Sequence, residues 1–325
     1  MRAKILIAVV LLQIALIGFL LIYIDWKKNT PSVKGEYKIV PIDTDSVTGS
    51  TESNLKYYYE PVADTLLTKV NEWVPYKAEY SINKASLNER FNYTLDKPED
   101  TYRIITLGDS YTFGLYINTK DNWTELLEDK LNERNICNKY RKYEVINLGV
   151  YGYDLQYSLE RYKLRGKQYD PDLVIWFIKG DDYYQINEIM QEKVKYYEKH
   201  LRETGEFEKY IEKGVLYPSW SLAMRDTFNL LGKDKIFNLQ KKYMEDFSQE
   251  YNKKLLLLAY DNGAIDLSNF LKDYVNNKPN TYLFELSNRK IPVFPNDGHP
   301  DYEGQKVIAE DIYSYMEETN TVDCY

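Results

Sequence analysis

Arg103-Ile104-Ile105-Thr106-Leu107-Gly108-Asp109-Ser110-Tyr111 decides how this chain is read. The five residues before Gly108 form a largely apolar run, which predicts a buried strand. Gly108 ends that strand with a turn that lifts Ser110 out at its carboxyl end. In open α/β sheets, that edge is where sites form. A serine is a poor nucleophile unless a base takes its proton, and the usual base is an imidazole oriented by a carboxylate. The chain has two histidines. His200 follows the charged run from Lys193 to Lys199. That leaves His299, within Asn296-Asp297-Gly298-His299-Pro300, as the histidine placed to serve Ser110.

Two more blocks lie between these. Val145-Ile146-Asn147-Leu148-Gly149-Val150-Tyr151-Gly152 reads as a strand running into a glycine loop, and the strand from Leu173 to Ile178 runs into Lys179-Gly180-Asp181-Asp182. After His299-Pro300, the segment from Gly304 to Met316 reads as a helix. Each block alone is unspecific, since a serine after a strand is usually a turn residue or a helix cap. Their order and spacing carry the reading.

The set resembles the SGNH (GDSL-type) hydrolase family over roughly residues 78 to 318. Tyr80-Ser81-Ile82-Asn83, Lys97-Pro98 and Tyr102-Arg103-Ile104 are similar to the approach seen in a membrane-anchored bacterial branch. The resemblance implies an α/β fold: a three-layer α/β/α sandwich with a mostly parallel sheet. It also implies a serine esterase in which Ser110 attacks, His299 acts as base and Asp297 holds the imidazole. Ser110 and Gly152 would supply backbone donors to the oxyanion. Asp109 is expected to brace the turn. The third block departs from the family's Gly-x-Asn-Asp, because Asp181 stands where an oxyanion-binding asparagine is expected. An ionised Asp181 would repel the oxyanion; a protonated one would donate to it. The aspartate also stands two residues before the histidine, where many members have three.

Composition narrows the classes. The net charge is -8 and the pI about 5.1, so the basic footprint of a nucleic-acid binder is missing. Thirty-three tyrosines are read two ways, as a sugar-binding surface or as the coding bias of an AT-rich genome. No Cys/His set has metal-ligand spacing and no glycine-rich phosphate loop is present, so no cofactor and no metal are expected. Cys137 and Cys324 are able to form one bridge in an oxidising compartment, but sequence leaves that pairing open.

The run from Ile5 to Ile24 contains nothing more polar than Gln13. At 1.5 Å per residue it spans about 30 Å, the thickness of a bilayer's hydrocarbon core. Asp25-Trp26-Lys27-Lys28 offers no small-residue cleavage site, so an uncleaved anchor is expected. Basic residues flank both ends, and charge alone leaves the orientation open. The family resemblance implies a catalytic domain outside the cytoplasm.

The expected organisation is an anchor over residues 1–28, a stalk and packing segment over 29–77, and a hydrolase domain over 78–325. Within 29–77, the stretch from Val62 to Trp73 has helical spacing. A charged, helical insertion occupies about residues 183–251, interrupted by Val215-Leu216-Tyr217-Pro218-Ser219-Trp220. It is read either as a lid over Ser110 or as a solvated hairpin decorating the fold. Expected partners are a small acyl ester or an acylated glycan, with the membrane engaged through the anchor. Two alternatives stand beside the esterase. One is an O-acyltransferase of cell-surface polysaccharide using the same triad, and the other is a catalytically silent envelope scaffold.

Overall fold

The computed structural model describes residues 40–41, 46–69, 77–261, 265–276, 278–286, 289–295, 297–319 and 321–324. The expected anchor at residues 5–24 and Asn296 lie outside the described residues. Among the described residues, no helix is long and apolar enough to cross a membrane.

The amino-terminal part forms short strands: β1 (Val40–Pro41), β2 (Val47–Gly49), β3 (Tyr59–Pro61), β4 (Thr65–Lys69) and β5 (Ala78–Ile82). The helical spacing read from Val62 onward does not hold over Thr65–Lys69, which is a strand paired antiparallel to β5; residues 70–73 lie outside the described residues. A short window of apolar and β-branched residues fits both periods, and the neighbouring strand decides the outcome. Leu67 is fully buried against Tyr80 and Phe113. Residues 46–61 are also fastened to the domain. Glu60 on β3 accepts ion pairs from Arg161 at 2.7 Å and Arg165 at 2.8 Å.

The central sheet has five parallel strands: β6 (Thr101–Leu107), β7 (Lys142–Asn147), β8 (Leu173–Lys179), β9 (Lys254–Tyr260) and β10 (Thr281–Glu285). Their order is β10-β9-β8-β6-β7. Both β6 and β8 are buried along all seven residues, as expected of a parallel sheet covered on both faces. Neighbouring residues serve opposite faces. Ile104, Ile175 and Leu256 pack towards α2 (Trp123–Arg134) and α10 (Tyr302–Thr319). Ile105, Val174 and Leu257 pack towards α3 (Leu155–Arg161), α8 (Lys233–Glu250) and α9 (Ile265–Val275). The result is a three-layer α/β/α sandwich. The order turns back on itself at β6, which has β7 on one side and β8 on the other. The carboxyl ends of β6 and β8 therefore flank the switch point, where such folds open a crevice.

Four more α-helices follow β8: α4 (Gly180–Tyr184), α5 (Asn187–Thr204), α6 (Phe207–Glu212) and α7 (Pro218–Leu231). The segment read as an insertion divides in role. Its last helix, α8, belongs to the sandwich itself, with Met244 and Phe247 fully buried and Phe247 lying 4.9 Å from the Trp176 ring. Its middle reaches the site.

Candidate active site

α1 (Ser110–Phe113) begins directly after the β6 turn. Asp109 caps it, with Oδ1 accepting from the Tyr111 N–H at 2.9 Å. Gly108 has φ +145, and a Cβ there would lie 2.7 Å from the Phe177 carbonyl on β8. Only glycine lets the turn approach the neighbouring strand this closely. Asn147, at the end of β7, binds both sides of the crevice: its Nδ2 donates to the Thr112 carbonyl at 2.9 Å, and its Oδ1 accepts from Gly149 at 2.8 Å.

Ser110 Oγ lies 2.8 Å from His299 Nε2. The other ring nitrogen, Nδ1, is hydrogen-bonded to Asp297 Oδ1. The imidazole is held by its surroundings: its ring centre is 5.3 Å from Tyr111 and 5.5 Å from Tyr116. The Tyr111 hydroxyl donates to the Gly298 carbonyl at 2.6 Å, fixing the loop. Ser110, His299 and Asp297 are thus brought together from positions almost 190 residues apart in the chain. A serine hydroxyl, an imidazole and a carboxylate in this sequence of contacts can pass a proton from nucleophile to base and stabilise the imidazolium that results.

Gly152 sits on the loop after β7, close to the nucleophile turn through the Val150 N–H bond to the Gly108 carbonyl at 3.2 Å. It has φ +76, and a Cβ there would lie 2.8 Å from the Tyr59 hydroxyl and 3.5 Å from the Trp220 ring. Trp220 of α7 therefore lies over this loop. Ser110 heads α1, where backbone N–H groups have no intrahelical acceptor.

Asp181 does not stand free. Its two carboxylate oxygens lie 2.8 and 2.9 Å from Lys179 Nζ. The same ammonium lies 2.9 Å from Asp109 Oδ2, the oxygen that accepts from the Ser110 hydroxyl at 3.0 Å. Burial works to raise the Asp181 pKa, but the Lys179 charge outweighs it and holds the carboxyl below its ordinary range. The paired ammonium thus favours the ionised form of Asp181 over the protonated one. Burial opposes the Lys179 charge, yet Asp109 and Asp181 hold its pKa well above that of an ordinary lysine. Asp182 accepts from the Lys179 N–H at 2.9 Å, and burial pushes its carboxyl well up.

Two contributors escape the sequence reading. Lys179 reads as the polar end of a strand, and its only signal is its place two residues before an unexpected aspartate. Tyr217 reads as a ring for sugar stacking or core packing. Its hydroxyl instead donates to Asp297 Oδ2 at 3.1 Å and meets the Tyr116 hydroxyl at 2.8 Å. Cys137 and Cys324 are joined as a disulfide, with Cα atoms 5.3 Å apart. Among the described residues, no group of three or more His, Cys, Asp or Glu is arranged to hold a metal ion.

This fold and site define an acyl hydrolase of the α/β type. A model of the GDSL-like Lipase/Acylhydrolase family matches residues 104–312, more than half of the sequence. The chain belongs to that family and is an ester-hydrolysing enzyme. No curated protein matches it. Among solved structures it is similar to TesA, with a TM-score of 0.45 and 16% identity over 68% of this chain and 99% of that one. It is also similar to the esterase EstA from Pseudoalteromonas sp., with a TM-score of 0.44 and 15% identity over 68% and 99%. A family 3 carbohydrate esterase of Clostridium thermocellum gives a TM-score of 0.40 and 14% identity over 67% and 96%.

Proposed function

We propose that this enzyme cleaves small acyl esters, with O-acetyl groups on envelope glycans as the natural class, using Ser110, His299 and Asp297. The observation that carries this reading is the 2.8 Å contact between Ser110 Oγ and His299 Nε2, with Asp297 on the opposite ring nitrogen. Ser110 Oγ attacks the acyl carbonyl while His299 Nε2 takes its proton. The oxyanion that forms is met by the N–H groups of Ser110 and Gly152. His299 then protonates the leaving alcohol, and the ester carbon–oxygen bond breaks to leave acyl-Ser110. Water, deprotonated by His299, attacks that acyl group and restores the serine. Asp297 keeps the Nδ1 proton in place throughout. The glycan part of the reading is supported by the aromatic side chains of Tyr217 and Trp220 beside the site, since such rings suit stacking on sugar faces.

The enzyme is held to a membrane through residues 5–24, with the catalytic domain outside the cytoplasm. The Cys137–Cys324 disulfide favours that side, because such bonds persist in oxidising compartments.

The test is acetate release from an O-acetylated glycan by the purified full-length enzyme, with and without added unacetylated glycan. Free acetate in both arms supports hydrolysis. Transfer of acetyl to the added glycan without free acetate would make it a transferase. Protease added to intact spheroplasts should digest the domain, and full protection until lysis would place it in the cytoplasm.

A further inference from the structure

We infer that Lys179 is a positioning residue of the active site, whose ammonium replaces, as positive charge, the neutral donor missing at Asp181. This rests on the Ser110–His299–Asp297 reading. Two carboxylates, those of Asp109 and Asp181, lie within 2.9 Å of Lys179 Nζ, and Asp109 Oδ2 also lies 3.0 Å from the Ser110 hydroxyl. Left unbalanced, they would repel the negative charge that develops at Ser110 and on the acyl oxygen, most strongly from the buried Asp109, where water screens little. One buried ammonium balances both near neighbours at once.

Its second effect is on the serine proton. The Ser110 hydroxyl has two acceptors within reach, Asp109 Oδ2 at 3.0 Å and His299 Nε2 at 2.8 Å. Lys179 occupies the same Oδ2, so that oxygen competes less for the proton and the hydroxyl is directed to the base. The backbone secures this placement. Lys179 ends β8, hydrogen-bonded in register beside Tyr260 of β9, and its ammonium lies 4.9 Å from the Tyr111 ring centre. Gln240 of α8 holds the following helix, donating to the Tyr183 and Gln185 carbonyls at 2.7 and 3.3 Å. Lysine at 179 and aspartate at 181 thus act as one charge pair.

The groups that face the pair define the pH test. Asp109, which caps α1, and Tyr111 within it face Lys179, as do Asp181 and Asp182 of α4, with Tyr260 beside it in the sheet register. Asp297, Ser110, Tyr111 and Tyr116 face His299, with Asp181 electrostatically coupled to it and Tyr217 acting through Asp297. The experiment compares the wild-type full-length enzyme with Lys179→Met, Asp181→Asn and the double variant on p-nitrophenyl acetate across pH. Lys179→Met should lower kcat about 100-fold with KM nearly unchanged, the scale of a lost oxyanion donor. It should also move the acid limb of kcat/KM to higher pH, because unbalanced carboxylates stabilise the His299 imidazolium. The double variant should recover at least about tenfold of the loss and bring the limb back. A folded Lys179→Met enzyme within threefold of wild type, or a double variant no better than the single, overturns the proposal. Should Lys179→Met not fold, Asp181→Asn decides alone: its acid limb must move to lower pH, and an unmoved limb overturns the proposal. An inert wild type, or an active His299→Ala enzyme, would instead refute the underlying triad.

Discussion

The hydroxyl of Tyr217 donates to Asp297 Oδ2 at 3.1 Å, so a side chain from the inserted helical segment touches the carboxylate that orients His299. The same hydroxyl meets Tyr116 at 2.8 Å, and the Tyr116 ring packs edge-on to the imidazole. The insertion is therefore neither a detached lid nor ornament. Its middle steadies the Asp297 carboxylate, and its last helix completes a layer of the sandwich. Partial burial, with Tyr116 and the Asp297 carboxylate beside it, raises the Tyr217 phenol above its ordinary pKa and keeps it a donor.

Tyr217→Phe removes this donor and little else. A hydrogen bond to a charged acceptor contributes about 1.5 to 3 kcal/mol, and Tyr217 is 44% exposed, so the lower end applies. We expect kcat to fall about tenfold, with KM nearly unchanged on a short acyl ester. Steady-state kinetics check this. An unchanged kcat would mean that Asp297 is held fully by its other contacts.

Gly152→Ala tests the glycine loop. Its φ of +76 strains any side chain, and a Cβ would press on the Tyr59 hydroxyl. The loop must shift, carrying its N–H away from where the proposed mechanism places the oxyanion. Loss of one such donor costs about 10² to 10³ in turnover. A Gly152→Ala enzyme of wild-type kcat and unchanged fold would remove this residue from the oxyanion site.

The main lines of the fold were legible because parallel strands buried on both faces must be nearly continuous apolar runs. The segments 103–107, 143–148, 173–178 and 254–260 have that character. The edge strand Thr281–Glu285 did not stand out, since every residue in it is half-buried and its pattern lacks a clear period. That Ser110, Asp297 and His299 come together was legible because residue type and chain order single them out. Lys179 and Tyr217 were not. Asp181 beside Lys179 is the one local sign, whereas the contacts of Lys179 with Asp109 and of Tyr217 with Asp297 span 70 and 80 positions. The strand at Thr65–Lys69 shows the same limit, since its pairing with β5 overrode an ambiguous local period.

Glu128 predicts how stability depends on pH. Burial pushes its carboxyl up to about 7, although the Val145 N–H and the Tyr93 hydroxyl both donate to it. Its folded pKa exceeds its unfolded value, so the folded state holds the extra proton between roughly pH 4.5 and 7. Stability from this group is full below that window and falls as pH rises through it, by an amount on the order of 3 kcal/mol. Glu128→Gln should flatten part of the decline in urea unfolding between pH 5 and 8, leaving the contribution of the similarly raised Glu89. Identical slopes in both proteins would show that Glu128 is ionised in the fold at neutral pH.

The most direct test of the account is fluorophosphonate labelling of the purified full-length enzyme, followed by mapping of the modified residue. A phosphonate of this kind reacts with a serine made nucleophilic by its base. The account predicts one modified residue, Ser110, with labelling abolished in His299→Ala and reduced by orders of magnitude in Asp297→Asn. Labelling at another serine, or undiminished labelling of Ser110 in His299→Ala, would contradict it.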